Sequence, residues 1–171
     1  MLRYDYYSRD EKHFSAMVLP YLLMYENFQG LKSFLKLINT KMIDKADLTQ
    51  KPKLISLDQF SKKTDTIQIV PELHIERDLS KKKIDIPPDC FKNKRSNAQS
   101  VPDLLIIYSE WAILIEVKFF TSFSGISVYD QMIKQQYILD IIKSLSNGKI
   151  ENTIQIAVTP LDIYLKDFVL I

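Results

Sequence analysis

Glycine is scarce in this chain of 171 residues, occurring only at positions 30, 125 and 148. Neither a Walker-type phosphate loop nor a GxGxxG dinucleotide fingerprint can be written with so few, which excludes both nucleotide-cradling designs. Cysteine is scarcer still. Cys90 stands alone and cannot close an intramolecular disulfide, and His13 and His74 do not give zinc-ligand spacing with it. A lone thiol fits a reducing compartment, and the chain is expected to be cytoplasmic. Long apolar runs are also missing: none reaches the ~18 residues of a membrane span, and the opening MLRYDYYSRDEKH has no apolar leader core. A dominant charge is absent too. With 23 Lys+Arg against 21 Asp+Glu the formal net charge is +2, which neither demands nor excludes a nucleic-acid partner.

What is present is an ordinary globular composition, 46% hydrophobic and 26% charged, enough for one domain over residues 1–171. From Asp10 to about Asn39 apolar residues recur at helical spacing (Phe14, Met17, Val18, Tyr21, Leu22, Tyr25, then Leu31, Phe34, Leu35, Ile38), with Pro20 and Gly30 as interruptions. That pattern predicts a kinked or broken helical arm. Residues 40–65 read as a loop with a short helix around Leu54–Phe60. Ile67, Ile69, Leu73 and Ile75 alternate with polar residues around Pro71, which predicts a strand with an irregularity.

Residues 77–97 hold seven Lys/Arg against three Asp, within an exposed basic excursion at about 77–100 that is either a solvated loop or a phosphate-contacting arm. Two apolar runs follow, VPDLLIIY and WAILIEVKFF, with Ser109-Glu110 between them, the pattern of a tight antiparallel hairpin. Ser-Glu is not a favoured turn pair, so a wider turn stays open. A helix from Ser127 to Ser146, a stop at Asn147-Gly148 and a strand at 153–160 complete the pattern. The terminal DFVLI is apolar enough for a last strand or a homodimer contact.

The hairpin strands are apolar on both faces, as strands in the middle of a sheet are, so their polar residues stand out. Asp103, Glu116 and Lys118 are those residues. In a turn centred on 109–110, directly opposed residues sum to 219, and Asp103 faces Glu116. Their β-carbons are then about 4.5–5.5 Å apart on one face, and strand alternation puts Lys118 on the same face. Two carboxylates so close repel one another and lose hydration. Such a pair protonates, pairs with Lys118 or binds a divalent cation, and oxygen ligands suit Mg²⁺ or Mn²⁺; otherwise Asp103 lies at the strand's start, in solvent or capping a turn, and Glu116 and Lys118 form an ordinary ion pair.

Pro102-Asp103, followed after twelve intervening residues by Glu116-Val117-Lys118, resembles the PD-(D/E)xK motif of the restriction-endonuclease-like nuclease superfamily. The resemblance implies an α/β fold with an αβββαβ core, a central mixed sheet flanked by helices, over roughly Asp10–Pro160. It implies that Asp103 and Glu116 bind the metal with the Val117 carbonyl, and that Lys118 orients or activates the attacking water. Glu11 is similar to the first-helix glutamate of many members and completes the set; otherwise it is an exposed first-turn acid. In the later helix Gln131 and Gln135 extend the apolar stripe of Ile138, Ile142 and Leu145. Gln131 with Tyr137 looks like the Gln-x(n)-Tyr element of several branches, making Gln131 the favoured contact and Gln135 and Tyr137 the reserves.

The expected activity is metal-dependent hydrolysis of phosphodiester bonds, with nucleic acid as partner and DNA as its first form. The alternative is a catalytically inactive nuclease-fold module that binds nucleic acid or protein in a defence, repair or mobile-element system.

Overall fold

The computed structural model describes residues 14–45, 52–57, 67–81, 101–117, 125–158 and 169–170. The chain runs through a π-helical turn (Phe14–Val18), α1 (Leu19–Lys45), β1 (Gln68–Pro71), α2 (Ile75–Lys81), β2 (Leu104–Tyr108), β3 (Trp111–Val117), α3 (Gly125–Leu145), β4 (Asn152–Val158) and β5 (Val169–Leu170). It is a mixed α/β fold. The five strands form one mixed sheet in the order β1-β2-β3-β4-β5. β1, β2 and β3 are successively antiparallel, whereas β4 runs parallel to β3 and β5 parallel to β4.

Helices cover both faces of the sheet. On one, Leu19, Leu23, Leu31, Leu35 and Ile38 of α1 pack against Leu104, Ile106, Ile113, Ile115 and Val117. On the other, Ile138, Leu139 and Ile141 of α3 and Ile75 of α2 pack against Leu105, Ala112 and Leu114. Successive residues of β2 and β3 thus enter opposite apolar layers, the two-residue period of a strand buried on both sides. All seven residues of β3 are buried.

The hairpin pairs Tyr108 with Trp111 and Leu104 with Ile115, so the opposed residues do sum to 219. The turn is the tight two-residue form. Ser109 adopts a left-handed φ of 53°, which a non-glycine residue tolerates at some cost, and its hydroxyl donates to Glu110 Oε2 at 2.5 Å. The Glu110 carbonyl then accepts from the N–H groups of Glu151 and Asn152, tying the turn to the start of β4.

Four expectations need correction. The break in the first arm falls at neither Pro20 nor Gly30 but at Tyr25–Phe28, where Glu26, Asn27 and Phe28 have φ of 47°, 53° and 66°. Pro20 directly follows the π turn, at the second residue of α1, and the helix runs on through it. Gly30 serves a different purpose: the fold-back brings it so close to the preceding turn that a Cβ would run into the Leu22 carbonyl. The helix also continues to Lys45, past the expected loop boundary.

The described part of the 54–60 segment is not helical. Residues 52–57 lie without regular structure against α1, where the Asn39 amide donates to the Ile55 carbonyl and accepts from its N–H, both at 2.9 Å. The strand expected from Ile67 spans only Gln68–Pro71, since Glu72 turns to a φ of 47° and Ile75 opens α2. The basic excursion therefore begins as a helix, and its residues 82–100 lie outside the described set. At the far end Val169–Leu170 forms a last strand. Among the described residues no helix is long and apolar enough to cross a membrane.

Candidate functional site

The residues of interest gather where β2 begins and β3 ends. Continuing the hairpin register by one step sets Asp103 opposite Glu116, as the sequence spacing requires. Asp103 itself lies just before the strand, in a bend, and its carboxylate closes the ladder in place of the backbone: Oδ2 accepts from the Val117 N–H at 2.8 Å. Its Oδ1 accepts from the Ser15 hydroxyl at 3.3 Å. Ser15 is fully buried within the π turn that precedes α1. The helical arm thus reaches Asp103 through a serine.

Glu116 is 1% exposed and follows Ala112 and Leu114 on the face covered by α3. Two turns of that helix meet it. Gln131 Nε2 donates to Oε1 at 2.5 Å, and Gln135 Nε2 donates to Oε2 at 2.9 Å. Residues four apart lie one above the other on a helix, so this spacing aims one amide at each oxygen. Amide N–H donors match an acceptor-only, ionised carboxylate. A third amide fixes the helix itself: Gln155 of β4, buried, donates through Nε2 to the Met132 carbonyl at 2.8 Å.

The two carboxylates are neighbours in register but are gripped from different layers, Glu116 by α3 and Asp103 by the π turn and the β3 backbone. Asp103 and Glu116 each make further interactions beyond these. Among the described residues no group of three Asp, Glu, His or Cys side chains is placed to hold a metal ion. Lys118 and Glu11 lie outside the described residues. Tyr137 packs half-buried against the apolar cluster beneath α3.

Three residues at this end of the sheet were not singled out by sequence reasoning. Gln155 carries the same signal as Glu116, a polar residue in a run of buried strand, and that signal could have found it. Ser15 falls off the apolar stripe of its helix and has no distinguishing pattern. Glu72 is revealed only by register: β1 pairs Pro71 with Leu104, and the next step is the Glu72 N–H donating to the Asp103 carbonyl at 3.0 Å. Glu72 and Asp103 are thus joined through their backbones just beyond the ends of β1 and β2.

Comparison of the chain with protein-family models, curated proteins and solved structures finds no match. The functional reading accordingly rests on the residues themselves.

Proposed function

We propose that the chain is a metal-dependent nuclease that hydrolyses phosphodiester bonds, with DNA as its first substrate. The observation that carries the reading is the hairpin register of two buried strands, which continued one step past Leu104–Ile115 sets Asp103 opposite Glu116. Further support comes from the element order: apart from the short α2 and the terminal β5 it is a helical arm, β1, a hairpin, α3 and β4 in a mixed sheet between helical layers, as the motif resemblance implies. Glutamines meet Glu116 from the helix that the resemblance assigns to them.

The donor set fits a hard divalent ion: two carboxylates and the Val117 carbonyl are oxygen ligands of the kind Mg²⁺ or Mn²⁺ takes, usually with waters retained. Such an ion supplies neutralisation of charge developing on the phosphate and a more acidic bound water. In this reading Asp103 and Glu116 hold the ion, Gln131 and Gln135 keep the Glu116 carboxylate from rotating, and Ser15 does the same for Asp103. Lys118 follows Glu116 by two positions and, as an ammonium, positions the water and stabilises the pentacovalent phosphorus. The basic excursion grips the backbone with salt-sensitive, weakly sequence-dependent affinity. A cytoplasmic site of action belongs with the same proposal.

The test is cleavage of linear, circular and single-stranded DNA with Mg²⁺ or Mn²⁺, comparing the wild type with Asp103→Ala and Lys118→Ala, each checked for folding by circular dichroism. Both variants lose cleavage on the order of a hundredfold or more if these groups stabilise the transition state. Cleavage unaffected by both changes ends the nuclease assignment.

A second reading has one observation in its favour. All four oxygens of Asp103 and Glu116 already accept a hydrogen bond from the chain. A repurposed site, holding its carboxylates as internal staples, suits an inactive nuclease-fold module for nucleic-acid or protein binding. Salt-dependent DNA binding by the wild type without cleavage under either cation selects it.

A further inference from the structure

Gln135 is fully buried, and its amide is only half used. Nε2 donates to Glu116, while Oε1, equally enclosed, has no donor among the described residues. Neither Gln131 nor Gln155 has such an orphan. A buried carbonyl oxygen left without a donor has lost its hydration with nothing in return. The helix positions that follow on this face, Ile138 and Leu139, show that an aliphatic side chain is what burial alone calls for. An amide retained at such a position has work at both ends. One end holds Glu116; the other is a neutral, hard oxygen directed beside it, and the partner such an atom accepts is a cation or a water polarised by one.

We propose that Gln135 Oε1 is an oxygen ligand for a divalent cation at Glu116, reaching the ion directly or through one of its waters. This rests on the reading of Glu116 as a metal ligand and adds to it a neutral donor from α3. It also divides the labour of the two glutamines: Gln131 orients the carboxylate, and Gln135 both orients it and counts among the cation's ligands. Because the added ligand is uncharged, it raises affinity without adding a further negative charge beside Glu116.

The experiment uses the full chain and Mn²⁺ alone, with binding followed by electron paramagnetic resonance of the free ion and by the Mn²⁺-induced rise in Tm. Gln135→Met keeps the length and removes the oxygen; it is expected to weaken Mn²⁺ binding at least tenfold. Gln135→Glu keeps an oxygen and sets a second carboxylate beside Glu116; its metal-free Tm falls, and its Mn²⁺-induced rise exceeds that of the wild type. Wild-type affinity in Gln135→Met overturns the inference while leaving Glu116 as a ligand, and so does a Gln135→Glu protein that Mn²⁺ does not stabilise more than the wild type. If Gln135→Met does not fold, the Gln135→Glu comparison decides by itself. A wild type that binds no Mn²⁺ overturns the metal reading as a whole, and this inference with it.

Discussion

The two faces of the sheet are equally buried and differently made. Beneath α1 the enclosed strand residues are apolar throughout, from Leu104 and Ile106 to Ile113, Ile115 and Val117. Beneath α3 the same strands place Leu105, Ala112 and Leu114 in line with Glu116, while β4 adds Gln155 and the helix adds Gln135. Burial supplies a sufficient reason for the first face and none for the second. Removing polar groups from water brings no gain unless each finds a partner, and apolar replacements of similar volume are commonly neutral or stabilising. The contrast shows which face needs a reason other than burial.

The largest effect expected on the apolar face is from Ile113→Ala, which empties a fully buried position in the central strand and should cost about 2–5 kcal/mol in denaturant unfolding. On the polar face the answer depends on how many partners change together. Glu116→Leu strands the Gln131 and Gln135 amides and should cost about 1–3 kcal/mol. Adding Gln135→Leu should recover most of that loss, because both members of a buried polar pair have then been replaced. A double variant no more stable than the single one would mean that the polar cluster specifies the fold, and the contrast between the faces would lose its functional meaning. Cleavage, where the wild type has it, stays lost in both.

Much of this arrangement could be read in advance because strand geometry is strict. A two-residue period and an antiparallel turn leave one free integer, the centre of the hairpin, and Ser109-Glu110 fixed it; the opposition of Asp103 to Glu116 followed without knowledge of any side-chain contact. Gln131 and Gln135 were legible for a similar reason, since a spacing of four on a helix shares a face. The break at Tyr25–Phe28 was not, because Asn27 alone of those four favours the left-handed region and one asparagine does not mark a break, while Glu26 and Phe28 adopt it against their preference. Ile75 was assigned to the preceding strand because alternation over a few residues cannot distinguish a strand's continuation from the first buried position of a short helix. Glu72 was invisible for a deeper reason: its place beside Asp103 depends on a pairing across thirty residues of chain that no local pattern encodes.

A smaller effect tests how the apolar face is closed at its rim. Asn39 holds the 52–57 segment over α1 through both ends of its amide, and Ile55 beneath it is buried. Asn39→Ala gives up two hydrogen bonds of ordinary strength, about 1–2 kcal/mol together. Hydrogen exchange should show the loss concentrated in α1, with the Glu116 side of the sheet unchanged. Protection lost equally under α3 would show that the two faces unfold as one unit and are not separable in energy.

The smallest effect concerns the turn that sets the register. The Ser109 hydroxyl, then the Glu110 backbone, hold the Glu110 carboxyl below its ordinary value of 4.5, with Lys53 adding a weaker pull. A carboxyl with a lowered folded pKa contributes stability that is fully present above the unfolded value and disappears as pH falls through the folded one. Ser109→Ala removes the main cause, so its deficit should be complete at about pH 6 and should shrink below pH 4.5. The side chain is only partly buried, so solvent screens the interaction and the difference is small; the readout is the change between two pH values rather than either value alone. Because the hydroxyl acts at the hinge of the hairpin and touches neither Asp103 nor Glu116, metal-dependent cleavage should survive the substitution; its loss would mean that the register of the acidic pair depends on this one hydrogen bond.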